Sequence, residues 1–217
     1  FTEGEAADWD AHPPAGFMLA PGERRRLCAY LGQRRRGAFT MGGVRFWPRM
    51  RPISGRISGK IAAFPKTAAV FTNVAFDTSL TRANILFPDM FAWLDCVLDL
   101  AAACPDTLFV IRAHPDERRR GRLSAEPVGD WIRSRRAEAR PNVVFIDSRE
   151  FESSYELIER ARLVMVYTST IGLEAALMGK PVICGGRARF ACDGIAILPA
   201  SPEALRLEAQ RILAAGD

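Results

Sequence analysis

The sequence predicts an α/β fold: a doubly wound, parallel, Rossmann-like sheet preceded by an irregular amino-terminal segment. Three observations predict it. Beyond Lys66, short apolar runs alternate with helical patterns, the rhythm of a parallel sheet built from strand, helix and strand. Residues 163–185, LVMVYTSTIGLEAALMGKPVICG, read as a buried strand, a hydroxyl-rich turn, a short helix, a Gly-Lys-Pro stop and a second strand. Polar and glycine-rich residues follow the apolar runs, and the carboxyl ends of strands are where ligands of such sheets bind.

Residues 1–66 carry no sustained period. His12-Pro13-Pro14, Pro21-Gly22, Gly42-Gly43, Pro48, Pro52 and two arginine triplets, at 24–26 and 34–36, interrupt it, and 23–33 alone supports a helix. This part reads as a linker or a remnant of an interdomain segment, and 67–217 as a Rossmann-like domain. Strands are expected at 68–72, 108–112, 143–146, 163–167, 181–184 and 195–198. Helices are expected near 88–103, 128–139, 153–160, 171–178 and 202–214, the last with Ser201 as its cap and Pro202 just inside its start. Crossovers between parallel strands are right-handed.

A length of 217 residues suffices for one substantial core but hardly for two Rossmann-sized domains. The chain opens on Phe1 without a charged-then-apolar leader and reads as a piece of a longer protein. No apolar run approaches the roughly 20 residues of a membrane span. Five cysteines, with no CxxC pair, suit reduced, cytoplasmic thiols rather than a disulfide frame or a zinc site. The net charge of +5 gathers in arginine runs at 24–26, 34–36, 118–120 and 135–136. These are solvated faces or contacts with anionic lipid or substrate; the aromatic platforms of RNA binding do not accompany them, so no nucleic-acid partner is expected.

The chemistry should lie just after the strands. Asn73 stands in a long polar turn after the first. Arg112 and His114 follow the second, where Pro115 ends the strand and holds His114 at the sheet's edge, its ring nitrogens able to donate to a phosphate or ribose oxygen. His12 repeats the Ala-His-Pro tripeptide with no strand before it and is assigned to a loop. After the fourth strand, Thr168, Ser169 and Thr170 can cap the following helix or, with its amides, bind an oxyanion. Glu174 lies about one turn further and can accept ribose hydroxyls, or simply favour the helix dipole. Gly185 and Gly186 permit close backbone approach after the fifth strand. Convergence of the second and fourth strand ends, bringing His114 and the hydroxyl-rich helix start around one anion, is the central expectation. The segment from Gly55 to Lys60 imitates a phosphate-binding P-loop but is one residue short, with Ile61 in place of the magnesium-binding hydroxyl.

His114-Pro115, the segment Ser169-Thr170-Ile171-Gly172-Leu173-Glu174-Ala175 and Gly179-Lys180-Pro181-Val182 resemble the carboxyl-terminal, donor-binding half of GT-B glycosyltransferases. The group most resembled is the capsule polysaccharide biosynthesis group that includes Kdo transferases, over roughly residues 67–217. The resemblance implies a GT-B donor-domain fold and a nucleotide-sugar substrate such as a CMP- or UDP-sugar. It assigns donor and phosphate binding to His114, Ser169, Thr170 and Gly172, and ribose binding to Glu174, with Asn73, Arg112, Gly185 and Gly186 in donor-site loops.

The implied reaction is attack of an acceptor hydroxyl on the anomeric carbon, without metal or other cofactor. Val182 stands where retaining relatives carry a second glutamate, which implies inversion. The acceptor half and the general base belong to an amino-terminal domain that residues 1–66 cannot supply, so this chain alone is expected to bind donor without turnover. The acceptor would be a polysaccharide or lipid-linked sugar, reached from the cytoplasm or from the inner membrane face. The alternatives are a nucleotide-sugar epimerase or polyol-phosphate transferase of similar fold, and a non-catalytic basic adaptor.

Overall fold

The structure, a computed structural model, describes residues 16–38, 40–41, 44–45, 50–74, 83–119, 122–123, 127–191 and 194–215. Contacts divide the chain into two units, Phe1–Met50 and Arg51–Asp217. His12 lies outside the described residues.

In the first unit, helix α1 (Pro21–Arg35) begins with proline and is capped by the Glu23 carboxylate, which accepts from the Ala20 amide at 2.8 Å. None of its residues is buried. Strands β1 (Thr40–Met41) and β2 (Val44–Arg45) pair as an antiparallel hairpin.

The second unit opens with helix α2 (Gly55–Ala62), capped by the Ser54 hydroxyl. It corrects one expectation: residues 1–66 hold a second helix besides 23–33, and it runs through the segment at 55–60 that imitates a P-loop. The signal was the spacing of Ile53, Ile57 and Ile61, one residue per turn, which faces α2 toward the sheet; Ile57 is wholly buried.

Strand β3 (Lys66–Phe71) leads to helix α3 (Met90–Ala103) and strand β4 (Thr107–Arg112). Helix α3 starts at the Asp89 cap and ends before Pro105, which cannot continue it. Between those points Met90, Trp93, Leu94, Val97, Leu98 and Ala101 follow the helical period and are all buried. A 3₁₀ turn (Pro115–Glu117) and the short hairpin β5 (Arg118–Arg119) and β6 (Arg122–Leu123) come next. Helix α4 (Val128–Ser134) is shorter than the sequence predicts: Arg136 turns left-handed at φ 48°, and a 3₁₀ turn (Ala137–Ala139) then carries Ala137 into the core. The chain continues through β7 (Val143–Ile146), α5 (Ser154–Arg160), β8 (Leu163–Val166), α6 (Ile171–Leu177), β9 (Val182–Cys184) and α7 (Pro202–Ala214). The sixth expected strand, at 195–198, is reduced to one parallel bridge between Ile183 and Ile197.

The five long strands form one parallel sheet in the order β7-β4-β3-β8-β9. The chain builds outward from β3 to one side, then crosses back and builds to the other, the doubly wound pattern expected from the sequence. Side chains alternate between two cores. Ala68, Val70, Phe109, Ile111 and Met165 pack beneath α3, α4 and α7, whereas Ala69, Phe71, Val110, Val164 and Val166 pack against α2, α5 and α6. Burial on both faces explains why the strands read as continuous apolar runs.

Candidate functional site

The strands end in register. Ile146, Arg112, Phe71, Val166 and Cys184 lie side by side, each the last residue of its strand. Two residues further along each chain stand Ser148, His114, Asn73, Thr168 and Gly186. Strand order reverses between β3 and β8, and the crevice outside that point is where an open α/β sheet binds its ligand.

The second and fourth strands are not neighbours. Strand β3 stands between them, so at about 4.8 Å per strand spacing their ends lie roughly 10 Å apart. Residues following β3 connect the two. The Thr72 hydroxyl accepts from the His114 amide at 3.2 Å, and the Asn73 side-chain amide donates to the Thr168 hydroxyl at 2.8 Å. Asn73 is itself oriented, because its carbonyl oxygen accepts from the Val74 amide at 2.9 Å. Its nitrogen must therefore face Thr168, and the Thr168 proton is left to point elsewhere.

The Asp116 amide donates to His114 Nδ1 at 3.1 Å, and the His114 carbonyl accepts from the Glu117 amide. A ring nitrogen that accepts carries no proton, so the proton of the neutral imidazole resides on Nε2. An Nε2–H is a donor of the kind that a phosphate contact requires.

Ser169 is half-buried and Thr170 exposed. Neither caps α6 through its side chain, contrary to the capping role considered from the sequence. Thr170 occupies the cap position in a helical conformation without a side-chain cap bond. The turn closes through backbone instead, Gly172 N–H to Ser169 O and Leu173 N–H to Thr170 O, both at 3.1 Å. Both hydroxyls are spared for other partners.

Gly172 has a packing reason. A β-carbon there would stand 2.8 Å from the Phe190 ring and 3.0 Å from Val166, so glycine lets α6 lie close on β8. Gly185 is tighter still, because a β-carbon would meet the Trp93 indole at 2.4 Å. Close backbone approach was the expectation at 185–186, and for Gly185 the approaching group is the protein's own tryptophan. The Gly186 amide donates to the Tyr167 carbonyl at 2.9 Å beside Thr168. Tyr167 packs on Trp93 and donates to the Asn84 side chain; burial, with Asp89 adding to it, pushes its phenol up to about 12.

Arg112 is only 4% exposed. Alternation along β4 places it with Leu108 and Val110 on the face of α2 and α5, where it donates to the Asp147 carbonyl at 2.7 Å. Burial pushes its guanidinium down to about 10, opposed by Glu150, Glu152 and Asp147. It braces the end of β7 beneath the sheet's edge.

Glu174, in the first turn of α6, accepts from the Tyr155 hydroxyl at 2.5 Å. Tyr155 escaped the sequence reading, as did Arg187. Arg187 is exposed immediately after Gly186, its amide fixed on the Ala83 carbonyl at 2.9 Å, and its guanidinium has no acidic partner among the described residues. An arginine following a strand-end glycine pair was the available signal for it.

No group of His, Cys, Asp or Glu residues that could hold a metal ion occurs among the described residues, and no described helix is long and apolar enough to cross a membrane.

The family described as capsule polysaccharide biosynthesis protein matches residues 66–209, more than half of the chain and the whole of the parallel sheet. The chain belongs to that family. A curated relative is Protein FixF of Sinorhizobium fredii, 33% identical over 113 residues, which cover 52% of this chain and 24% of FixF. Among solved structures, the β-Kdo 2,4 transferase of Thermosulfurimonas dismutans KpsC superimposes with a TM-score of 0.54 at 17% identity, covering 90% of this chain and 56% of that one. The S. aureus MnaA–UDP co-structure superimposes with a TM-score of 0.51 at 12% identity, covering 75% and 41%. The capsule-family sheet thus has the Rossmann-like, GT-B-type fold, and the chain spans about a quarter of FixF and about half the length of these structures.

Proposed function

We propose that this chain is the donor-binding part of a glycosyltransferase that moves a sugar from a nucleotide donor to a growing capsule or surface polysaccharide. The observation that carries the reading is the in-register carboxyl edge, where His114 follows β4 and the hydroxyls of Thr168, Ser169 and Thr170 follow β8, one strand apart across β3. Each is a donor suited to phosphate oxygens. The capsule family supports the polysaccharide, and the UDP of the MnaA co-structure supports a nucleotide as the ligand.

In this reading His114 donates to the donor phosphate, while Ser169 and Thr170 hold phosphate oxygens through their hydroxyls and amides. Gly172 keeps α6 against β8 so that those groups are in place. Glu174 accepts ribose hydroxyls. An acceptor hydroxyl attacks the anomeric carbon from the face opposite the nucleotide; the C–O bond to phosphate breaks with inversion, and the same donors take up the charge developing on the leaving phosphate. No metal is assigned a part. The base that takes the acceptor proton comes from outside residues 66–209, in an acceptor domain of the longer enzyme.

Thermal unfolding of the chain with CMP, UDP or inorganic phosphate tests the reading. At a hundred times its dissociation constant, a nucleotide that binds the folded state alone adds about 2.7 kcal/mol of stability. One of the two nucleotides should raise the melting temperature at concentrations where phosphate does not. No shift with either, up to millimolar concentration, would remove the proposed function.

A further inference from the structure

We infer that Tyr155 is a positioning residue for the ribose end of the site, holding the Glu174 carboxylate ready to accept ribose hydroxyls. The inference rests on the function proposed above and names a component from outside the segment at 169–175.

Tyr155 lies in the first turn of α5 and is 6% exposed. That turn is held at the carboxyl edge by two constraints. The Ser153 hydroxyl accepts from the Glu156 amide at 3.2 Å, and the segment before it pairs with the chain entering α2, through Arg51 N–H to Phe151 O and Ser153 N–H to Arg51 O, both at 2.8 Å. A tyrosine ring packed in this way has two torsions, both set by its surroundings, so its hydroxyl occupies one place.

Glu174 is the reverse case, a half-buried side chain with three torsions. Ordering such a side chain only when ligand arrives costs affinity. The 2.5 Å bond from Tyr155 to Oε2 orders it beforehand, and an O–H donor to a carboxylate is among the stronger and shorter hydrogen bonds of proteins. A carboxylate has about four acceptor positions, of which the phenol takes one. The pair also joins α5 to α6, two helices on the same face of the sheet, and so ties the ribose acceptor to an element outside the phosphate-binding segment.

The test compares CMP and UDP, whichever binds more tightly, with its 2′,3′-dideoxy counterpart by calorimetric titration of the full chain and of Tyr155→Phe. The intact chain should prefer the ribonucleotide. Tyr155→Phe should lower ribonucleotide affinity about tenfold, leaving dideoxynucleotide affinity unchanged, because the lost ordering concerns ribose contacts alone. Glu174→Gln should erode the same preference, and Tyr155→Phe added to it should change nothing further. A structural defect in α5 would weaken both nucleotides equally, and that outcome overturns the inference. So does an intact chain that binds nucleotide without distinguishing ribose from dideoxyribose, a result that leaves nucleotide binding standing. Failure of both nucleotides to bind the intact chain overturns the proposed function and this inference together.

Discussion

Gly185→Val is expected to destabilise the second unit by about 3 kcal/mol, at the upper end of what overpacking costs. The smallest added atom, a β-carbon, would already lie 2.4 Å from two atoms of the Trp93 ring. That ring cannot swing aside: it is wholly buried within the core under α3 and packs against Tyr167 at a centroid separation of 5.6 Å. Gly185 is equally held, its amide donating to the Val166 carbonyl at 2.8 Å. Relief must come from lifting the end of β9 away from α3. On that scale the melting temperature falls by on the order of 10 °C. Calorimetric or circular-dichroism melting checks it, with Gly179→Ala as a comparison: there the left-handed φ of 77° is strained by a side chain but no neighbour is struck, and the loss should be about 1 kcal/mol. If Gly185→Val melts with the parent chain, the glycine faces open space and belongs with the ligand-approach reading after all.

His114→Ala is expected to abolish most nucleotide protection while leaving the fold intact. The ring is half-exposed, and its Nδ1 is engaged by Asp116, so its orientation is prepared before ligand arrives. Removing a neutral donor to a charged phosphate costs about 2 kcal/mol, roughly thirtyfold in affinity. The same substitution at His12, which shares the Ala-His-Pro tripeptide but follows no apolar run in the sequence, should leave protection unchanged. Titrating the two variants side by side with CMP and UDP decides it; equal effects would separate His114 from the anion site.

The five strands of the parallel sheet were legible because burial on both faces makes each an apolar run, and their ends came within two residues of expectation; the sixth, at 195–198, is a single bridge. Helices were legible where caps and period agreed, as at Asp89 and Ser201. They were not where a local departure served the core. Residues 133–139 carry helix-forming arginines and alanines, and nothing short of packing announces that Arg136 must turn left-handed to bury Ala137. Helix α2 was hidden by glycines and serines that suggested a loop, although its isoleucines kept the helical spacing.

The site shows the same division. Positions after strands are readable, so His114, Ser169 and Thr170 could be named from the sequence. Partnerships are not. Asn73 meets Thr168 across 95 positions, and Tyr155 meets Glu174 across 19, because the strand order brings them together. Arg112 was read as a loop residue of the site from its place at a strand's end, yet the two-residue alternation of β4 carries its side chain beneath the sheet's edge.

A crystal structure of the chain with CMP or UDP bound tests most directly whether the ends of β4 and β8, joined through β3, form one anion site. Phosphate oxygens within about 3 Å of His114 Nε2 and of the Thr168, Ser169 or Thr170 hydroxyls are the expected result. Nucleotide seated at the amino ends of the strands, or along the arginines of Pro21–Arg35 with His114 untouched, would contradict it.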